Sequence, residues 1–166
     1  MVASRLETIM DRVPREGAKA AVALGIIERV REIVDAAMTA VKLAECVGAA
    51  KGTCKETFCD PACARIFMVK EGETIRIGKY RSNTLGVTIE QGRVIFATSK
   101  AKLIVDSSGT VEVYLVGINE NINISDVNDV YRKSYMLKRA IREVGGRIDV
   151  IVSDLRSCAR ANAIVC

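Results

Sequence analysis

From Arg15 to about Val47, apolar residues recur at three- and four-residue steps: Ile26, Val30, Ile33, Ala37, Val41, Ala44 and Val47. Charged Glu28, Arg31, Glu32, Asp35, Lys42 and Glu45 fall mostly between them. This is the period of an amphipathic helix, with Gly25 as a candidate interruption. Upstream, Ser4-Arg5-Leu6-Glu7 has the capping-box pattern of a short first helix. Pro14 has no N–H to donate, so it marks a break or the first turn of the next helix. Ala36, Ala37, Ala40 and Ala44 have little bulk and let another helix approach closely. That face either packs on the protein's own core or joins a second copy, since a long seam is hard to cover on a small chain.

A linker over 48–63, with Gly48, Gly52, Pro61 and three cysteines, separates this helix from a region of period two. Arg65–Lys70, Thr74–Lys79, Thr84–Glu90, Arg93–Thr98, Ala101–Asp106 and Thr110–Ile118 read as six strands, with turns at Glu71-Gly72-Glu73, Gln91-Gly92 and Ser107-Ser108-Gly109. Leu85, Val87 and Ile89 share one face, which predicts an antiparallel meander buried on one side. After a polar link (Asn119, Glu120, Asn121, Asn123), Ser125 caps a helix to about Val144, whose stripe is Val127, Val130, Leu137, Ile141 and Val144. Gly145-Gly146 reads as its stop, and Arg147–Val152 as a return strand. The expected fold is α+β: a long N-terminal helical segment, then an antiparallel-rich β-meander with one packed helix and a return strand. The division is a helical segment and cysteine-containing linker over 1–61, and a sheet domain over 62–166.

Composition narrows the chemistry. The 166 residues contain no His, which removes imidazole-based catalysis, metal ligation and pH switching. Hydrophobic residues make up 49 %, enough for a core and against wholesale disorder. Met1–Val13 carries Arg5, Glu7, Asp11 and Arg12 and so lacks the apolar run of a secretory signal. The apolar stretch Ala20–Ile27 falls far short of the ~20 residues of a membrane span. The expectation is an intracellular, cytoplasmic protein without a membrane partner. One Gln, and Arg outnumbering Lys, point weakly to a thermophile.

Six cysteines stand at 46, 54, 59, 63, 158 and 166. No C-x-x-C knuckle occurs, and the spacings miss those of iron–sulfur sites. The alternatives are structural disulfides, a metal or cluster site, or free core thiols. Intracellular disulfides are unusual outside hyperthermophiles. A link from the 54–63 loop to Cys158 or Cys166 closes a loop of about 100 residues, worth ~4–5 kcal/mol by chain entropy. Lys51 and Lys55 beside Cys54 permit a reactive thiolate there.

The surplus of positive charge, +5 overall, lies between residues 62 and 147. At 100° per residue, Arg132, Tyr135, Arg139 and Arg142 fall together beside the apolar stripe of the helix after Ser125. The meander adds Arg76, Lys79, Tyr80, Arg81, Arg93, Lys100 and Lys102. Guanidinium groups suit phosphate oxygens, and tyrosines stack on bases, so these residues are the candidate nucleic-acid surface. The plainer alternative is a solvated face that keeps the protein soluble.

Enzyme motifs are weak. Gly48-Ala49-Ala50-Lys51-Gly52-Thr53 has phosphate-loop residue types in the wrong order. Ser99-Lys100-Ala101-Lys102 matches S-x-x-K without its companion motifs. Asp149 and Asp154, flanking the end of the expected return strand, are candidate magnesium ligands. Asp126 and Asp129 suit a helix's first turn. No catalytic residue and no cofactor is assigned. The functional expectation is a small non-catalytic, self-associating protein that binds nucleic acid or another anionic partner through 62–147. The alternatives are a structural or assembly protein stabilised by disulfides, and a cysteine-based metal or redox protein.

Overall fold

The computed structural model describes residues 17–48, 66–79 and 85–166. The candidate Ser4 cap, Pro14, the phosphate-loop-like residues from Ala49, Tyr80, Arg81, Cys54, Cys59 and Cys63 lie outside the described residues.

Helix α1 spans Gly17–Cys46 and is continuous through Gly25. A glycine inside a helix costs about 1 kcal/mol relative to alanine. Burial of Ile26, Ile27, Val30, Ile33 and Val34 on the following turns outweighs that cost.

Seven strands follow: β1 Ile66–Glu71, β2 Thr74–Lys79, β3 Gly86–Glu90, β4 Arg93–Ala97, β5 Ala101–Asp106, β6 Thr110–Leu115 and β7 Ile118–Asn123. They form one antiparallel sheet in sequential order. The register lines up two apolar rows on its inner face. Met68, Ile77, Val87, Phe96, Leu103 and Val113 pair in succession across six strands. Ile75, Ile89, Val94, Val105, Val111 and Ile122 form the second row. A slip of one residue in any strand would carry its apolar set to the other face, so the pattern itself fixes the pairing.

The stretch read as one strand over Thr110–Ile118 is two strands. Leu115 pairs with Ile118 around a two-residue turn, Val116-Gly117. Gly117 supplies the positive φ of 77° that this tight turn needs, while Val116 is 85 % exposed at its tip. The asparagines expected as a polar link are therefore strand residues. Asn119, Asn121 and Asn123 are exposed on β7, an edge strand.

Helix α2 is a short turn, Val127–Arg132. Its cap is Asp126 rather than Ser125: the Asp126 carboxylate accepts from the N–H groups of Asn128 and Asp129. Helix α3 then runs Ser134–Ala161. Gly145-Gly146 does not stop it, and Arg147–Val152 is helical, so no return strand exists there. Ile148, Ile151, Val152 and Leu155 continue the buried stripe at helical spacing. The glycines serve a helix crossing. A Cβ on Gly145 would lie 2.7 Å from Nη2 of Arg29 and 3.3 Å from Cδ1 of Ile33 on α1. With glycine at this position, Arg29 and Ile33 of α1 lie against the α3 backbone without having to give way.

α1 and α3 run parallel. Arg29 and Ile33 meet Gly145, and further along Ala36 and Thr39 share a groove with Ser153 and Arg156. Together with α2 they cover the inner sheet face, and the helices and the sheet both contribute to one apolar cluster. A disulfide joins Cys46, at the end of α1, to Cys166, beyond the end of α3. The pair thus has a leading end, near Gly17 and Ser134, and a stapled end at Cys46 and Cys166.

Candidate binding surfaces

The fold spreads the expected basic surface over several places. Arg76 and Lys102 alternate with buried Ile77 and Leu103, so they lie on the outer sheet face, away from the helices. Lys102 Nζ sits 5.5 Å from the centre of the Tyr114 ring. The Tyr114 hydroxyl donates to Glu112 at 3.0 Å; that bond, then burial, raises its pKa. Lys79 is turned to α3, where its half-buried ammonium meets Asp154 at 2.6 Å. Arg93 pairs with Glu90 at 2.8 Å. Lys100 is exposed in the β4–β5 turn, which Thr98 Oγ1 holds by accepting from the Lys100 and Ala101 N–H groups.

Four of the expected residues do come together, at the leading end. Arg132 is bound to Asp129 at 2.8 Å. Tyr135 is 72 % exposed, with the Arg139 guanidinium 6.0 Å from its ring centre. Arg142 is exposed one turn further along α3. The fold adds residues that the sequence reading missed. Lys19 on α1 lies 5.5 Å from the centre of the half-exposed Tyr131 ring, and exposed Lys138 stands between Tyr135 and Arg142 on α3. A groove of about 630 Å³ runs between α1 and α3 here. Its polar rim is Arg29, Lys138 and Arg142, its floor is Val22, Ile26 and Ile141, and no carboxylate lines it. Lys138 was legible from helical spacing alone. Lys19 was not, because 112 residues separate it from Tyr131 in the chain.

The leading end is held by a buried carboxylate. Asp129 accepts from the Asn123 N–H at 2.9 Å and meets Arg132 at 2.8 Å and Lys133 at 3.1 Å. Burial pushes its pKa up. The Asn123 N–H and the two cations outweigh this and hold it below the usual carboxylate range.

Towards the stapled end a second groove, also about 630 Å³, has mixed charge. Glu32, Asp35 and Asp149 stand on one side of the balance and Arg156 and Arg160 on the other. Arg29 divides the two grooves by pairing with Glu32 at 3.1 Å and Asp149 at 3.3 Å. The two aspartates considered as magnesium ligands are thus on a helix, not at a strand end. Asp149 is spent on Arg29 and Asp154 on Lys79.

Among the cysteines, Cys46 rather than a residue of the 54–63 loop takes Cys166. Cys158 is buried and disulfide-bonded. No described cysteine is therefore a thiolate ligand in this state. Among the described residues no group of three or more acidic or cysteine side chains is placed to hold a metal ion. No described helix is long and apolar enough to cross a membrane. Compared with known proteins, the chain matches no family model, no curated protein and no solved structure.

Proposed function

We propose that this chain is a disulfide-stapled structural module that assembles with a second copy of itself through the stapled half of its helix pair. The mixed-charge groove carries the reading. A two-fold interface brings one surface against itself, so it must be self-complementary. Asp35 beside Arg156 and Arg160, with Glu32 and Asp149 shared with Arg29, meets that condition, and exposed Val150 adds apolar area on the same helix as the two arginines. The Cys46–Cys166 bond supports it by fixing the spacing of the two helices that form the groove. We retain a cytoplasmic setting, in which such a disulfide belongs to the hyperthermophile exception.

Light scattering across a concentration series tests the assembly. The wild-type chain should approach twice its monomer mass. Arg156→Glu with Arg160→Glu should hold it at monomer mass. Mixing that variant with Glu32→Arg, Asp35→Arg should restore a heterodimer. A wild-type chain that stays monomeric up to its solubility limit would sink the reading.

A further inference from the structure

We propose that the leading end of the helix pair binds single-stranded nucleic acid, with Tyr131 and Tyr135 as stacking platforms and Lys19, Lys138, Arg139 and Arg142 as phosphate contacts. Three observations converge on it.

The first is the sign of the charge. Lys138 and Arg142 rim the groove beside Arg29, whose own charge is met by Glu32 and Asp149, and no carboxylate is among the lining residues. Of the nearby acids, Asp126 caps α2, Asp129 holds Arg132 and Lys133, and Glu143 pairs with Arg147, while Glu28 is exposed on α1 outside the lining. Lys19, Lys138, Arg139 and Arg142 make no ion pair with a described residue. A row of cations that no described carboxylate neutralises attracts anions from outside.

The second is the pair of rings. Tyr131 is 41 % and Tyr135 72 % exposed, the only large aromatics so exposed among the described residues. Each has one cation against it, Lys19 and Arg139. The remaining exposed ring surface is open to a base. Alternating aromatic and cationic contacts match the alternation of bases and phosphates along a single strand. A duplex keeps its base faces stacked internally and leaves the rings without a role, which favours a single strand.

The third is position. The surface lies on the opposite half of the helix pair from the proposed self-association groove, with the Arg29 bridge between them. Binding therefore goes beyond the assembly reading, and either is able to fail alone. Two rings support a short contact of a few nucleotides, and a two-fold assembly would present two such contacts.

The test is fluorescence anisotropy of a labelled oligothymidylate of about 12 nucleotides, at the length scale of known single-strand sites. Four phosphate contacts predict a logarithmic salt slope of about −3, hence a loss of about fifty-fold between about 50 and about 200 mM salt. Tyr135→Ala should weaken binding about tenfold, the cost of one lost stacking contact. Lys138→Glu with Arg142→Glu should abolish it. Arg76→Glu with Lys102→Glu, on the outer sheet face, should leave it within about twofold, since charges more than a Debye length away are largely screened. All of these positions are exposed, and circular dichroism confirms that each variant is folded. No binding at low salt overturns the proposal. So does loss equal to that of the helix variants when the sheet face is reversed, full retention by Tyr135→Ala, or a preference for anionic lipid vesicles over the oligonucleotide.

Discussion

The two ends of the parallel helix pair are closed by different chemistry. At the leading end the buried carboxylate of Asp129 draws together the end of β7, through the Asn123 N–H, and the turn into α3, through Arg132 and Lys133. At the stapled end a covalent bond joins Cys46 to Cys166. An ionic clasp is opened by acid and a disulfide by reductant, so the two closures answer to different reagents. The solvent faces differ as well: cations and tyrosines at one end, both signs of charge at the other. The inner faces show no such contrast. Both halves bury the same kind of aliphatic stripe on the sheet. Packing spends only one side of each helix, and the other side is free to differ along its length.

The sharpest way to separate the ends is to cut the staple. The bond spans 120 residues, and removing it with Cys46→Ser and Cys166→Ser frees a loop worth up to about 5 kcal/mol in the unfolded chain. Urea unfolding should show that loss as a lower midpoint. Both cysteines are exposed, so a dithiol reductant under native conditions should reach this bond before the buried Cys158. Oligonucleotide binding at the leading end should survive the double substitution. Its loss would mean that the two ends are one mechanical unit.

Crowding the crossing between them has the next largest effect. Gly145→Leu drives a side chain into Arg29 and Ile33, and overpacking of this kind costs about 1–3 kcal/mol. Both grooves should be disturbed, since Arg29 lines one and orients Glu32 and Asp149 in the other. Thermal unfolding checks the stability loss. Unchanged binding and unchanged mass in a destabilised variant would show that the grooves do not depend on the crossing.

That crossing also marks where the sequence stopped being legible. The meander was readable because alternation over Thr84–Glu90 and its neighbours is a local signal, and α1 because its stripe repeats through eight turns. Ile148, Val150 and Val152 alternate like a strand, yet Ile148, Ile151, Val152 and Leu155 fit a helix equally well. The deciding fact is Ile33 and Arg29 waiting beside Gly145, more than a hundred residues upstream. A Gly-Gly pair reads as a stop only when no partner helix needs the space. Val116 failed for a related reason: nothing local distinguishes a valine at a turn tip from one in a strand, and the neighbouring Gly117 was the only cue. At the site, one helix's periodicity grouped Arg132, Tyr135, Arg139 and Arg142. The groove itself needs α1, whose contribution no linear pattern reveals. Lys79 was misplaced because its inward direction depends on Asp154, a residue of α3.

Acid should open the Asp129 clasp at the leading end. The native pKa of Asp129 lies below its unfolded value, near 3.9 for an ordinary aspartate. Its contribution is therefore complete above the unfolded pKa and lost as pH falls through the lower native one. Asp129→Asn keeps an acceptor for the Asn123 N–H but strips Arg132 and Lys133 of their counter-charge. About 1–3 kcal/mol should be lost at neutral pH, the scale of a charged hydrogen bond. Stability measured from neutral to acid pH should show the gap between wild type and variant closing below about pH 4. A gap that persists unchanged into acid would assign the effect to shape rather than to charge.

The smallest effect comes from the same residue type used in the opposite way. Gly25 sits on the open side of the seam, exposed, with nothing within 4 Å of where a Cβ would stand. Gly25→Ala therefore meets no neighbour, keeps a helical φ and relieves the unfolded-state entropy of glycine, and should stabilise the fold by up to about 1 kcal/mol. The two glycines differ in surroundings: a side chain at 145 presses on Arg29 and Ile33, while a methyl at 25 points into the cationic groove. A higher unfolding temperature with oligonucleotide affinity reduced by a narrower groove would place the ligand between the helices. The same gain in stability with affinity unchanged would place it outside, on the rings of Tyr131 and Tyr135.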